Sequence, residues 1–284
     1  MSNPIPVAPS VMVQTAFRAF AAIAAALLVS CGGGGNPGEC HASPLVCSGT
    51  GRGRGGGGGG GGSIGGNSDV TGVWRGTTSH GRQALALTLS NRQVWVLYSA
   101  AGNSNVVGGA GFGTYTANGS TLTSPDAVDL NFEGLGINPA TITATVTPRS
   151  GISGTVQHNS GTLVAFTGSY DANFASQPRL ENVAGTYRGA VSVAAGRDTA
   201  TVIVSTGGSI TGTTVLGCRF SGTATPEANA NVYNLSIQFL GAPCSLGTST
   251  VTGVAYFDAA SSDMYAAAVN VGRTDGFLFL GDKQ

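Results

Sequence analysis

Side chains able to act as nucleophile or general base are few in this chain of 284 residues, which carries three histidines and five cysteines. His80 lies in the stretch TTSHGR and His158 in VQHNSG. Their Ser, Gly and Asn neighbours make both stretches turns, where a histidine is ordinarily solvated. A hydroxyl activated by such a histidine, with Asp126 or Asp171 orienting the ring, would be acyl-transfer chemistry. Ser79 and His80, however, are chain neighbours on a turn and do not point at each other. Asp258 and Asp263 flank another turn and read as turn formers rather than as a carboxylate pair for glycoside hydrolysis, whose separation is a matter of space. The body of the chain holds no G-x-S-x-G in a strand–turn–helix context, no H-E-x-x-H and no phosphate loop. The expectation is a protein with no catalytic residue, no metal ligand set and no cofactor.

The cysteines divide as one plus two plus two: Cys31, then Cys40 and Cys47, then Cys218 and Cys244. An even remainder suits disulfides in an oxidising compartment, and proximity in sequence favours 40 with 47 and 218 with 244. Closing the second of these loops would contribute roughly 3.6 kcal/mol by chain entropy. Zinc is disfavoured because none of the spacings is C-x-x-C, even with His41 beside Cys40.

These residues are distributed over three kinds of segment. Ala19–Val29 is an apolar run preceded by Arg18. It is shorter than the ~20 residues a membrane-spanning helix needs and matches the apolar region of an export signal. Starting at Met12 would give a compact signal, so translation is expected to begin there. From Gly32 to Ser68 the chain has no hydrophobic periodicity and includes eight consecutive glycines, Gly55 to Gly62. Such a Gly-rich, disordered tether spans roughly 33 Å root-mean-square. Three motif fits inside it lack their required context: Gly61–Gly65 as G-x-S-x-G, Gly51, Gly53 and Gly56 as G-x-G-x-x-G, and Arg52 with Arg54 as an RNA-binding segment. The 13 basic and 13 acidic side chains balance, and Lys283 is the only lysine. That balance excludes a basic face for nucleic acid.

From Asp69 onward the period is two, with turn signals every 8–12 residues. Leu85, Leu87 and Leu89 fall on one face, with Ala84, Ala86 and Thr88 opposite; Tyr233, Leu235, Ile237 and Phe239 form another such row. Asn118-Gly119 and Gly207-Gly208 are hairpin signals. A repeat divides the body: Gly72-Val73-Trp74-Arg75-Gly76 returns as Gly185-Thr186-Tyr187-Arg188-Gly189. The reading is all-β, with two tandem antiparallel units at 69–177 and 178–284, each of some eight strands. A closed or nearly closed barrel removes the edge-strand problem, and a two-sheet sandwich is the alternative.

Leu28-Val29-Ser30-Cys31 resembles the lipobox of bacterial lipoproteins. That resemblance implies cleavage of a signal peptide, 1–30, and diacylation of Cys31 with fatty-acyl chains, palmitate among them. With two or three chains it also implies permanent anchoring. Gly32, where inner-membrane retention usually needs Asp, implies the outer membrane. G-x-[W/Y]-R-G resembles the strand that opens calycin barrels. There the aromatic, here Trp74 or Tyr187, closes one end and a basic residue of the last strand covers it. Arg273 over Tyr187 would be that contact, with Arg75 and Arg188 as further basic candidates. GCRFSGTATPE, FLGAPCSLG and the closing TGVAYFDA…GFLFLG resemble an uncharacterised family of exported proteobacterial lipoproteins, which implies an envelope location. The expected role is display of two β units for contact with an envelope or protein partner, with oligomeric state left open. The alternative is a calycin-like carrier of a small apolar ligand, for which the small residues Ala266, Ala267 and Ala268 beside Tyr265 would leave room. An enzyme of unknown class is the third reading.

Overall fold

The computed structural model describes residues 69–284; the expectations for 1–68, including Cys31, Cys40 and Cys47, lie outside the described residues. The chain forms two closed antiparallel barrels in succession. The first is built from β1 (Gly72–Thr78), β2 (Gln83–Thr88), β3 (Gln93–Ala100), β4 (Asn103–Thr114), β5 (Thr116–Asn118) and β6 (Thr121–Asn131). It continues with β7 (Gly136–Thr147), β8 (Gly151–His158) and β9 (Leu163–Tyr170). Order runs β4-β3-β2-β1-β9-β8-β7-β6, and pairing of Gly109–Phe112 with Val128–Asn131 closes the ring. The short β5 lies on the first part of β6.

The second barrel is a simple meander. Its strands are β10 (Gly185–Val193), β11 (Gly196–Val204), β12 (Ser209–Thr214), β13 (Arg219–Pro226), β14 (Val232–Phe239), β15 (Thr250–Asp258), β16 (Asp263–Asn270) and β17 (Gly276–Lys283). It closes by β10 against β17, with Tyr187 opposite Lys283 and Ser192 opposite Leu278. Between the barrels lie a 3-10 turn, Ala172–Ala175, and the four-residue helix α1, Leu180–Val183. The sandwich alternative is thereby replaced by barrels, which leave no long edge unpaired.

The repeated G-x-[W/Y]-R-G is the seam of each barrel. Trp74 and Tyr187 point inward and are almost fully buried. A side chain at Gly76 would overlap the backbone of Thr167 and Gly168 on β9, and one at Gly189 would overlap that of Leu280 and Gly281 on β17. First and last strands thus approach so closely that only glycine fits at this inward position. Both hairpin signals are turns: Asn118 pairs with Thr121 across the two-residue loop Gly119-Ser120, whereas at Gly207-Gly208 the loop is longer, bridged by Ser205 N–H to Ser209 O at 2.9 Å.

Registers assign the faces. Ala84 and Ala86 point into the first barrel, whereas Leu85 and Leu87 point outward into a buried cluster shared with the second barrel. On β16, Met264, Ala266 and Ala268 line the interior, and Tyr265, Ala267 and Val269 face the first barrel. Strands apolar on both faces are expected where each face is covered, and here the second cover is the neighbouring barrel.

Candidate functional site

Space inside the second barrel is nearly exhausted. Tyr187, Phe220, Tyr233, Phe277 and Phe279 fill it, leaving an apolar cavity of about 40 Å³. Sites for small molecules take roughly 300–1,000 Å³, so the interior does not offer the room that an apolar-ligand carrier needs. The alanines of β16 do not hollow the barrel, because the Phe220–Phe277 and Phe239–Phe277 rings occupy the volume they leave, at centroid distances of 5.2 and 5.9 Å.

The closed end of the second barrel differs from expectation in one residue. Arg273 does not cover Tyr187. β17 runs the height of the barrel, from Gly276 beside Arg273 to Lys283 beside Tyr187, so the two residues lie at opposite ends. The cation at that end is Lys283, which covers a different ring: its ammonium donates to Asn182 O at 2.9 Å and stands 5.5 Å over the Phe257 ring. Phe257 meets Tyr187 edge to face at 6.2 Å, and the Tyr187 hydroxyl donates to Val183 O at 2.8 Å. Burial pushes the Tyr187 phenol above its usual range. In the first barrel the partner of Trp74 is Tyr170 rather than a cation, edge to face at 6.3 Å. Arg188 is exposed on the outside of β10.

Arg75 also points outward, and there it meets the second barrel. Its Nε donates to Asp171 at 2.7 Å and its Nη2 to Asp258 at 2.9 Å. The guanidinium lies 5.5 Å over the Tyr256 ring and 5.3 Å over that of Tyr265. Tyr256 donates to the same Asp171 oxygen at 2.7 Å, and Asn173 Nδ2 donates to the Tyr256 hydroxyl and to Phe257 O. Burial opposes the charge on Arg75, but the Asp171 bond and the charges around it hold the guanidinium protonated beyond its ordinary range. Asp171 pays burial too, yet the bonds from Arg75, Tyr256 and the Asn173 N–H keep it below the usual carboxylate value. Asp258 is a turn former as expected, accepting from Ala260 N–H and Ser261 Oγ, but it is also a bridge between barrels. No local pattern could announce that partnership, because Arg75 and Asp258 are 183 positions apart.

A second junction contact explains Arg273. β6 is irregular between Ser124 and Ala127, and the extra residues include Pro125, which tolerates such a bulge. The bulge turns Asp126 outward, where it accepts from the Thr114 N–H and hydroxyl, each at 2.8 Å. Arg273, with a left-handed φ of 53°, reaches across to Asp126 O at 2.9 Å and stands 4.8 Å over the Phe112 ring. The arginine chosen from sequence is thus a cation over an aromatic, but over one in the other barrel.

His158 is not a solvated turn residue. Its register with Ala140 points it into the mouth of the first barrel, where Nε2 lies 3.0 Å from Asp129 Oδ2. Tyr98 donates to the other Asp129 oxygen at 2.7 Å, and burial together with the Asp129 charge raises the phenol's pKa. Arg82 covers the Tyr98 ring and pairs with Glu133. No Ser, Thr or Cys of the described residues bonds the His158 ring, so this chain of polar groups lacks the nucleophile of a triad. Among the described residues no three His, Cys, Asp or Glu side chains converge to hold a metal. Cys218 and Cys244 are joined, with Cα atoms 4.6 Å apart, and tie the β12–β13 loop to the β14–β15 loop.

The sequence matches no family model and no curated protein. Similar solved structures include isotype 1 transferrin binding protein B from serogroup B Neisseria meningitidis. It is 13% identical with a TM-score of 0.29, over 72% of this chain and 58% of that one. A variant of the vaccine antigen transferrin binding protein B from Haemophilus parasuis Hp5 is 8% identical with a TM-score of 0.30, over 72% and 61%. A candidate outer membrane protein from Bacteroides fragilis NCTC 9343 is 13% identical with a TM-score of 0.25, over 76% and 98%. The chain spans about three-fifths of the length of the transferrin binding proteins it matches.

Proposed function

We propose that this chain is a lipid-anchored protein of the bacterial outer membrane that displays two β-barrels for contact with a protein or envelope partner. The observation that carries contact, rather than carriage of an apolar ligand, is the filled interior of the second barrel, whose cavity is about 40 Å³. Recognition is then left to the outer surface. The loops joined by Cys218–Cys244 carry Val215, Leu216 and Leu240, exposed by 72%, 75% and 56%. Aliphatic side chains grouped on braced loops suit contact with a partner.

Anchoring rests on the lipobox-like Leu28–Cys31 and on the Gly-rich segment that follows it. Replacing Cys31 by Ala removes the thiol that would carry the diacylglycerol. Metabolic labelling with a radioactive or clickable fatty acid should disappear in Cys31→Ala, and the uncleaved precursor should accumulate. Labelling that persists in the variant would reject the anchor.

A further inference from the structure

A cleft of about 310 Å³ opens between the two barrels, separate from the apolar interior. One wall is the outer face of β3 and β4, with Gln93 and Phe112; the other is the outer face of β14 to β16 and the loop after it, with Asn234, Thr252, Val269 and Arg273. Its volume falls at the lower end of the range for small-molecule sites, roughly 300–1,000 Å³, and such sites favour junctions between domains. The two walls are held in place by the Arg75 bridge and by the Arg273–Asp126 contact.

The chemistry of the lining narrows the occupant. Gln93 gives its carbonyl oxygen to Trp95 Nε1 at 3.2 Å, which leaves its amide nitrogen as a donor. Asn234 gives its amide nitrogen to Glu227 at 3.2 Å, which leaves its carbonyl as an acceptor. The Thr252 hydroxyl can do either. Arg273 contributes a cation already offset by Asp126, so no net charge is left to draw an anion. The exposed Val271 and the neighbouring Val269 supply apolar surface, while the Phe112 ring is covered by Trp95 and by the Arg273 guanidinium. Neutral amide and hydroxyl groups of both polarities beside aliphatic side chains complement a sugar ring, whose hydroxyls both donate and accept and whose C–H face is apolar. A hydrocarbon would leave these polar ends unpaired on being covered, at a cost of about 1–3 kcal/mol for each. We infer that the inter-barrel cleft binds a neutral carbohydrate, with Gln93, Asn234 and Thr252 reading its hydroxyls.

This site does not depend on the lipid anchor, so its failure and that of the anchor are read separately. The test is calorimetric titration of the full chain with maltotriose and with chitotriose, two neutral oligosaccharides, with a sulfated heparin disaccharide as the anionic comparison. Saturable binding of at least one neutral sugar is expected, unchanged between low and high salt because no charge is engaged. Asn234→Ala and Thr252→Ala should each weaken it at least tenfold, while Ser236→Ala, on the exposed outer face of β14, should leave it unchanged. Equal melting temperatures of the variants show that the loss is not unfolding. Absence of binding by both neutral sugars at millimolar concentration overturns the proposal. So does binding that survives both substitutions, or binding confined to the sulfated disaccharide and abolished by salt.

Discussion

Arg75 brings together two carboxylates and two phenol rings that come from three separate stretches of the chain. A guanidinium suits this place because its planar fork can address Asp171 and Asp258 at once while stacking on rings. Removing it would leave both carboxylates half-buried and facing one another without a counter-charge. Breaking a fully buried pair in that way costs about 3–5 kcal/mol. Arg75 retains 35% side-chain exposure, so solvent screening reduces the figure; we expect Arg75→Ala to lose about 2 kcal/mol. Arg75→Lys should recover less than half of that, since an ammonium is a point charge that cannot span both partners. The pH dependence follows from Asp171, whose folded pKa is depressed. Its contribution is present above the unfolded carboxylate value near 4 and is lost as pH falls through the lower folded value. Urea unfolding of Arg75→Ala should therefore show a flatter acid limb than the parent protein. A variant with the same midpoint and the same acid limb would show that Arg75 bridges nothing of consequence.

At the scale of strands, register rather than composition decides what each residue does. β15, β16 and β17 place Asp258, Asp263 and Asp282 side by side, because Asp263 pairs with both of the others. Burial pushes the Asp263 carboxyl up to about 6, with the bond and charge of Asp282 and the charge of Asp258 adding to it and Ser261 opposing. A raised carboxyl favours the folded state while protonated, so its contribution is fully present below about pH 4 and is lost as pH rises through about 6. We expect Asp263→Asn to be more stable than the parent at pH 8 by about 1 kcal/mol, the scale of a like-charge pair across strands. The gap should close below pH 4. Chemical denaturation at pH 8 and at an acidic pH measures it; equal stability at pH 8 would mean that the strand neighbours do not repel. Alternation of side chains was legible in the sequence from local spacing alone, and so was the pairing of Cys218 with Cys244 by proximity. What each face meets was not. Leu85 and Leu87 look like a barrel interior because they are the larger row, yet the narrow interior takes Ala84 and Ala86 and the leucines cover the neighbouring barrel. Arg273 was legible as a cation over an aromatic, but the ring it chose depends on a bulge at Pro125–Asp126 that no spacing reveals.

On the scale of the whole molecule, the two barrels share an apolar junction as thoroughly buried as either interior. Trp95, Leu87 and Leu130 of the first barrel and Val232, Val254, Ala267 and Leu278 of the second belong to one cluster, each under 2% exposed. Residues 69–284 fall within a single compact unit. Junctions between domains are commonly polar and permit relative motion, whereas a large hydrophobic one does not. The Arg75 bridge and the cleft walls depend on this rigidity, since a hinge at the junction would separate Asn234 from Gln93. The consequence is cooperative unfolding of the two barrels together. Calorimetry of the parent protein should give one transition whose calorimetric and van't Hoff enthalpies agree, as two-state behaviour requires. Ala267 offers the sharpest disturbance: it is fully buried at the junction, on β16, and its side chain points away from the second barrel's interior. Ala267→Asp would place a carboxylate there with no partner, and an unpaired buried charge is too costly to keep dry. The junction should open to water while each barrel keeps its own filled interior, so one transition becomes two and the carbohydrate site is lost with it. A single transition in Ala267→Asp, at the parent temperature, would show instead that the barrels unfold together for a reason other than the apolar junction.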